Sequence, residues 1–328
     1  MQAPKFWDKQ ECVLSKVLKP FGWIYAWTVA RRFKKVKPYQ AAVPVICVGN
    51  VSVGGTGKTP VSLAIAKLLK EKEHLFYFLN HGYKTRLKHV LVDLTEHTAF
   101  DVGDEAMLLA FSAPTVVDNN RARGAQLAVK MGAPGIIMDD GFQNPGLIKT
   151  LSFIVVDGKK GFGNEQVLPA GPLREPVLKA LERADAVIIA GEDTWGVRFY
   201  LQRHQKDLPI LTGKFVPNPA QAAKLKGRKV FAFAGIGNPQ KFYDLLRSAG
   251  ALVMATCDFP DHYFYTRFDI EQLKEKASKL TLVTTAKDAV KISGPLRAGI
   301  DVLDGEFVFD EPESVWELLK GAVEHGQE

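Results

Sequence analysis

Val43-Pro44-Val45-Ile46-Cys47-Val48-Gly49-Asn50-Val51-Ser52-Val53-Gly54-Gly55-Thr56-Gly57-Lys58-Thr59-Pro60 runs from a β-branched apolar stretch into a loop of small residues closed by Gly-Lys-Thr. The unbroken apolar character of residues 43–48 predicts a parallel strand buried on both faces. Beyond the loop, Leu63, Ile65, Ala66, Leu68 and Leu69 recur at helical spacing, so a helix starts at about residue 59. A loop that opens a helix presents unpaired N–H groups to anions. The spacing is that of G-x-x-x-x-G-K-[ST], the P-loop, with Ser52 at the first glycine position. Ser52, Val53, Gly54, Gly55, Thr56, Gly57, Lys58 and Thr59 are therefore the candidate nucleotide-binding residues. Lys58 is expected on the β- and γ-phosphates of a nucleoside triphosphate and the Thr59 hydroxyl on Mg²⁺.

Working outward, strands and helices alternate. Strands are expected at residues 75–79, 90–94, 115–117, 135–138, 151–156 and 186–190, with helices at 104–111 and 121–131 between them. Such alternation implies crossover helices and a mostly parallel sheet covered by helices on both faces, an α/β P-loop NTPase-like fold. A lysine-rich stretch, Lys224 to Lys229, precedes a new strand at 230–234. A second, smaller α/β unit is expected after it, with helices at 239–248 and 269–277 and strands at 252–256, 282–285 and 302–309. The expected division is thus 1–39, 40–225 and 226–328, the last helix (311–323) packing on either unit. Gly235-Ile236-Gly237-Asn238-Pro239 lacks the third glycine of a dinucleotide fingerprint and reads as a turn with proline at the first helical position.

The net charge of +7 is not spread over this body. Residues 1–39 hold nine Lys or Arg against Asp8 and Glu11, which leaves 34 basic and 34 acidic residues in the remainder. A nucleic-acid surface is therefore not expected. The same segment carries Phe6, Trp7, Phe21, Trp23, Tyr25 and Trp27, and Val13, Leu14, Val17, Leu18 and Phe21 lie on one helical face flanked by Lys16 and Lys19. An amphipathic helix of this kind either docks on an anionic membrane surface or packs on the body with its basic face solvated. It is too short in apolar residues to span a bilayer, which takes about 20, and its lysines interrupt any secretory apolar core. Cys12, Cys47 and Cys257 form no C-x-x-C pair, so neither a disulfide framework nor a zinc site is expected and a reducing compartment fits.

Four further stretches carry chemistry. Gly135-Ile136-Ile137-Met138-Asp139-Asp140 is an apolar strand ending in two carboxylates, which is either a turn or the Mg²⁺-side acidic strand of a P-loop protein. Val102-Gly103-Asp104-Glu105 sets carboxylates where a helix opens, as a cap or as ligands at a strand end. Leu168 to Pro176 is rigid, with Arg174 and Glu175 at its end, and reads equally as a linker or as a phosphate-clamping loop. His262, after Asp261, is a solvated loop residue or a general acid–base group.

Together with the Phe6-Trp7 start, Asp139-Asp140-Gly141-Phe142-Gln143, Phe259-Pro260-Asp261-His262 and Thr284-Thr285-Ala286-Lys287-Asp288, these motifs resemble the tetraacyldisaccharide 4′-kinases over nearly the whole length. That family resembles the chain in carrying Ser or Thr at position 52. The resemblance implies transfer of the γ-phosphoryl group of ATP, with Mg²⁺, to the 4′-hydroxyl of a tetraacylated glucosamine disaccharide 1-phosphate, by a peripheral protein on the cytoplasmic face of the inner membrane. It implies Lys58, Asp104, Asp139 and His262 as catalytic, Thr59, Asp139, Asp140 and Glu105 around the metal, and Asn80, Tyr83, Arg121, Gln143, Arg174 and Glu175 toward the substrate. The chain departs from the family with Asn80-His81 for Ser-Arg, Asn144 for a frequent His, and Ala286 for a frequent Glu.

Two other classes share the loop. A soluble P-loop GTPase or small-metabolite kinase needs no basic aromatic terminus, and in Thr285-Ala286-Lys287-Asp288 the lysine falls one place late for guanine recognition. A peripheral, non-catalytic nucleotide sensor would bind ATP without phosphorylating lipid.

Overall fold

A computed structural model describes residues 4–9, 12–83 and 85–324. The apolar runs become the centre of a large sheet with strands β1 (Val45–Gly49), β2 (Tyr77–Asn80), β3 (Val90–Leu91), β4 (Thr115–Val117), β5 (Ile136–Asp139), β6 (Leu151–Asp157), β7 (Ala186–Ala190) and β8 (Ile210–Pro217). A second sheet holds β9 (Lys229–Ala234), β10 (Leu252–Asp258), β11 (Thr281–Thr284) and β12 (Ile300–Val302), and β13 (Gly305–Phe309) follows.

The large sheet runs β13-β8-β7-β6-β1-β5-β2-β4-β3, and the small one β10-β9-β11-β12. Pairing in the large sheet is parallel except at its two edges, β13 on β8 and β3 on β4. The small sheet is wholly parallel. β1 sits centrally between β5 and β6 and every residue in it is buried, as its β-branched composition requires. Helices cover both faces: Val61, Ile65 and Leu69 of the Lys58–Glu71 helix pack on one side, and Ala125 and Ala128 of the Arg121–Lys130 helix on the other. The elements expected from periodicity are present, with boundaries displaced by a few residues.

Two expectations change. The strand expected at 90–94 pairs only at Val90–Leu91. The strand expected at 302–309 is two, separated at 303–304, and its second part leaves the small sheet to pair antiparallel with β8. The small sheet ends with β12 at Val302. The final helix, Pro312–Glu324, buries Val315, Leu319, Ala322 and Val323 in the large unit's core beside Ile65 and Leu69, so its packing side is settled. β8 and the helices Val197–His204 and Pro219–Leu225 have no counterpart in the sequence expectation.

At the N-terminus, residues Val13–Lys35 form one helix. It touches the body through its small residues. Ser15 Oγ donates to Ala170 O at 2.8 Å, and a Cβ on Gly22 would stand 3.0 Å from Val167 O. Trp7 Nε1 reaches Pro169 O at 3.2 Å. The bulky side is left outside: Val13, Val17, Phe21, Trp23, Ile24 and Trp27 are all exposed, Trp23 by 71%. Among the described residues no helix is long and apolar enough to cross a membrane.

Candidate active site

The loop between β1 and the Lys58–Glu71 helix is shaped by its glycines. Gly54 and Gly57 take φ of +117° and +91°, in a region disfavoured for other residues. At Gly57 an added Cβ would overlap the Phe215 ring, which would have to move. The Leu168–Pro176 stretch is no free linker. Val53 N donates to Pro172 O and Arg174 N to Val51 O, each at 2.7 Å, so this stretch is stitched along the entry of the phosphate loop. Asn50 closes the loop from within, its Nδ2 donating to Ser52 O at 2.7 Å and Thr56 Oγ1 at 3.1 Å.

β5 delivers its carboxylates beside this loop because it is the parallel neighbour of β1, with Val48 opposite Asp139. Asp139 is buried and accepts from Thr59 Oγ1 at 3.0 Å and Ser62 Oγ at 2.9 Å. Burial, with the Glu105 and Asp140 carboxylates nearby, pushes the Asp139 carboxyl up to about 6. Asp140, in a left-handed turn (φ +48°), meets Lys58 Nζ at 3.7 Å and Arg174 Nη1 at 3.0 Å. Burial opposes its ionisation, but Lys58 and Arg174 hold its carboxyl below the usual range. Among the described residues no group of three His, Cys, Asp or Glu is placed to hold a metal alone. Mg²⁺ in nucleotide sites is commonly held by one or two carboxylates together with the phosphates. The hydroxyl–carboxylate pair Thr59–Asp139 fits it, as does a buried carboxylate that a cation would relieve.

The second cluster spans the two sheets. Asp104 and Glu105 open the Asp104–Ala110 helix of the large unit, and Asp261-His262 follow β10 of the small one. His262 Nδ1 lies 2.9 Å from Asp104 Oδ2 and 3.1 Å from Oδ1. The hydrogen bond to the Asp104 carboxylate raises the His262 imidazole above its ordinary value, against the opposing effect of burial. Burial works against Asp104 ionisation, yet the His262 hydrogen bond and the ammonium groups of Lys287 and Lys291 keep its carboxyl low. Tyr83, 60% exposed, stands over the cleft with its ring centroid 5.8 Å from that of His262.

Several of the expected site residues turn inward or pair with protein neighbours. Arg121, expected toward the substrate, is 3% exposed, and its guanidinium donates to Leu79 O and Asp139 O, both at 2.8 Å, clipping together the ends of β2 and β5 beneath the site. Asn80 is likewise buried, its Oδ1 accepting from Gly82 N at 2.8 Å, so it shapes the turn rather than facing solvent. Glu175 is buried against Arg183 at 2.8 Å, and Gln143 donates to Asn50 O at 2.7 Å and to Glu175 Oε1 at 3.2 Å. Both support Arg174 and the loop from behind. Glu105, expected around the metal, meets Lys287 Nζ at 3.3 Å across the cleft.

Residues that sequence reasoning left without a role are Ser62, Arg183, Asp288, Lys287 and Lys291. For Lys287 and Asp288 there was a signal, because Thr284-Thr285-Ala286-Lys287-Asp288 sits at the C-terminal end of a parallel strand, where open α/β sheets bind ligands.

A glycine loop ending in Lys-Thr beside an acidic neighbouring strand defines a P-loop NTPase-type fold. The family is narrower. The model of the tetraacyldisaccharide-1-P 4′-kinase family, LpxK, matches residues 14–324, and the chain belongs to that family. It is 48% identical over 315 residues to the tetraacyldisaccharide 4′-kinase of Paramagnetospirillum magneticum, covering 95% of this chain and 96% of the relative. Against the enzyme of the same name from Rhodospirillum centenum it is 44% identical over 340 residues, covering 100% and 99%. Its fold matches the crystal structure of LpxK from Aquifex aeolicus in complex with ATP, at a TM-score of 0.75 and 29% identity over 95% of this chain and 100% of that one.

Proposed function

We propose that this chain transfers the γ-phosphoryl group of ATP to the 4′-hydroxyl of a tetraacylated glucosamine disaccharide 1-phosphate, while docked on the cytoplasmic face of the bacterial inner membrane. The observation that carries the reading is the Asp104–His262 pair, next to Glu105, whose charge acts on Asp139, the partner of Thr59. The names of the family and of its relatives supply the acceptor.

The loop amides and Lys58 bind and orient the β- and γ-phosphates, and Arg174, held by Asp140 and Gln143, adds a second cation at the cleft. Thr59 and Asp139 would hold Mg²⁺, with Asp140 beside them. When bound, the metal neutralises phosphate charge. Phosphoryl transfer through a loose transition state asks more for positioning and charge neutralisation than for a strong base. A carboxylate of low pKa is therefore adequate. Asp104 orients the sugar hydroxyl and receives its proton as the bond to phosphorus forms. His262 fixes the carboxylate's orientation and balances its charge. The exposed apolar side of the N-terminal helix, flanked by Lys16, Lys19, Arg31, Arg32, Lys34 and Lys35, suits the interface of an anionic leaflet and would bring the cleft to its lipid acceptor.

The test is incubation of the protein with Mg²⁺, γ-labelled ATP and the disaccharide lipid. Label on the lipid is expected. ATP binding without labelled lipid would return the chain to the nucleotide-sensor class.

A further inference from the structure

Lys287 lies on the far wall of the cleft and is only 22% exposed at its side chain. Its ammonium has three carboxylate neighbours drawn from both units: Glu105 Oε1 at 3.3 Å, Asp261 Oδ1 at 3.7 Å and Asp104 Oδ2 at 4.0 Å. Two of these open the helix that carries the proposed base, and the third is the residue before His262.

The lysine is held firmly from behind. Its neighbour Asp288 is fully buried and accepts from Gly235 N at 3.0 Å, Thr285 Oγ1 at 2.7 Å and Tyr265 OH at 2.9 Å, while pairing with Lys291 at 2.7 Å. The carbonyl of the same Gly235 accepts from His262 N at 3.2 Å and from Lys291 Nζ at 3.4 Å. Lys287 and His262 are thus fixed to one backbone unit of the small sheet, and both reach to the same helix start of the large one.

We infer that Lys287 is a positioning residue for phosphoryl transfer: its ammonium clamps Asp104 and Glu105 to the Asp261-His262 loop, and so sets the geometry of the acid–histidine pair. The inference rests on the reading of that pair as the reacting dyad. Without Lys287, Glu105 and Asp261 lose their shared cation and only Lys291, 4.0 Å from Asp104, remains beside His262; the like charges then repel, and an opened cleft separates His262 from Asp104. An isolated surface ion pair would contribute little. A cation shared by three partners and anchored through Asp288 is different in kind.

The test uses the full chain with Lys287→Gln and Lys287→Arg. In lipid phosphorylation, Lys287→Gln should lose roughly tenfold to a hundredfold in kcat, as for a small misplacement of reacting groups, with the KM for ATP within about twofold. Lys287→Arg keeps the charge and should recover to within about fivefold of wild type. Amide hydrogen exchange without substrate should quicken at residues 104–107 and 259–263 in Lys287→Gln and stay unchanged in β9 and β11. Wild-type kcat in Lys287→Gln overturns the inference, as does faster exchange throughout β9 and β11 with no recovery by arginine. Should the wild-type protein label no lipid, the lipid-kinase reading fails on its own. The exchange comparison then decides Lys287: local quickening upholds the clamp and an unchanged pattern removes it.

Discussion

His262 Nδ1 and Asp104 Oδ2 are 2.9 Å apart although 158 positions separate the two residues and they belong to units built on different sheets. The contact ties those units together, and its strength depends on protonation. The folded-state pKa of His262 is raised above its ordinary 6.5, so the stabilisation it contributes is complete below that value and is lost as pH rises through the folded value. Asp104 is lowered from 3.8, so its part is present above that value and lost only as pH falls through the folded one. The Tm difference between wild type and His262→Ala should therefore be larger at pH 5.5 than at pH 9. Equal differences at the two values would remove the charged pair.

Asp104→Ala should lose most of kcat, by about two to four powers of ten as for other positioned acid–base groups. ATP binding should change little, because the phosphate loop is held by Asn50, Gln143 and the 168–176 stretch rather than by this carboxylate. Separate measurement of single-turnover transfer and of nucleotide affinity checks this; near-normal turnover excludes Asp104 as the base.

Asp139, pushed up to about 6 by burial and by its carboxylate neighbours, must lose its proton to receive a metal. Mg-ATP affinity should accordingly fall by about fourfold between pH 7.5 and 5.5 from this group alone. Calorimetric titration at the two pH values, with Asp139→Asn alongside, is the check: the variant should bind more weakly and lose this part of the pH dependence.

Gly57→Ala combines a disfavoured φ of +91° with a Cβ that overlaps the Phe215 ring. The cost should be about 1–3 kcal/mol of stability from the backbone, with loss of nucleotide binding. Adding Phe215→Ala relieves the overlap but not the φ, so thermal melts should show a partial recovery. A full recovery would mean that the ring alone excluded the side chain.

Phe21, Trp23 and Trp27 are 59%, 71% and 58% exposed, so their replacement by serine should leave Tm almost unchanged. Partitioning onto anionic vesicles should weaken by on the order of 2 kcal/mol for each residue that inserts fully. Sedimentation with vesicles measures it, and unchanged partitioning would deny the helix a membrane role.

Much of the architecture was legible because β1, β5, β6 and β7 are apolar, β-branched runs that lie centrally in one parallel sheet. Such strands carry their burial in their composition. β8 was not legible: Ile210–Pro217 mixes apolar residues with Thr212, Gly213 and Lys214, and alternates only loosely in burial. In the site, Lys58, Thr59 and Asp139 follow from local motifs. The fate of Arg121 does not, because an arginine one step after a cap residue reads the same whether it faces solvent or turns inward to two carbonyls. The Glu105–Lys287 pair was not legible for a related reason. Their pairing joins residues 182 positions apart, and no local pattern records a partner at that distance.

The return of Gly305–Phe309 to β8 makes the small unit an insertion, entered after Pro217 and left after Val302. Two chain crossings, rather than one, connect it to its host. A body carried on a pair of tethers swings about the line between them and twists little, so any opening of the cleft should follow a single arc that separates His262 from Asp104 along one path. During synthesis the edge strand β13 and the helix behind it emerge after the inserted unit. The large sheet therefore completes itself only after the inserted unit has left the ribosome.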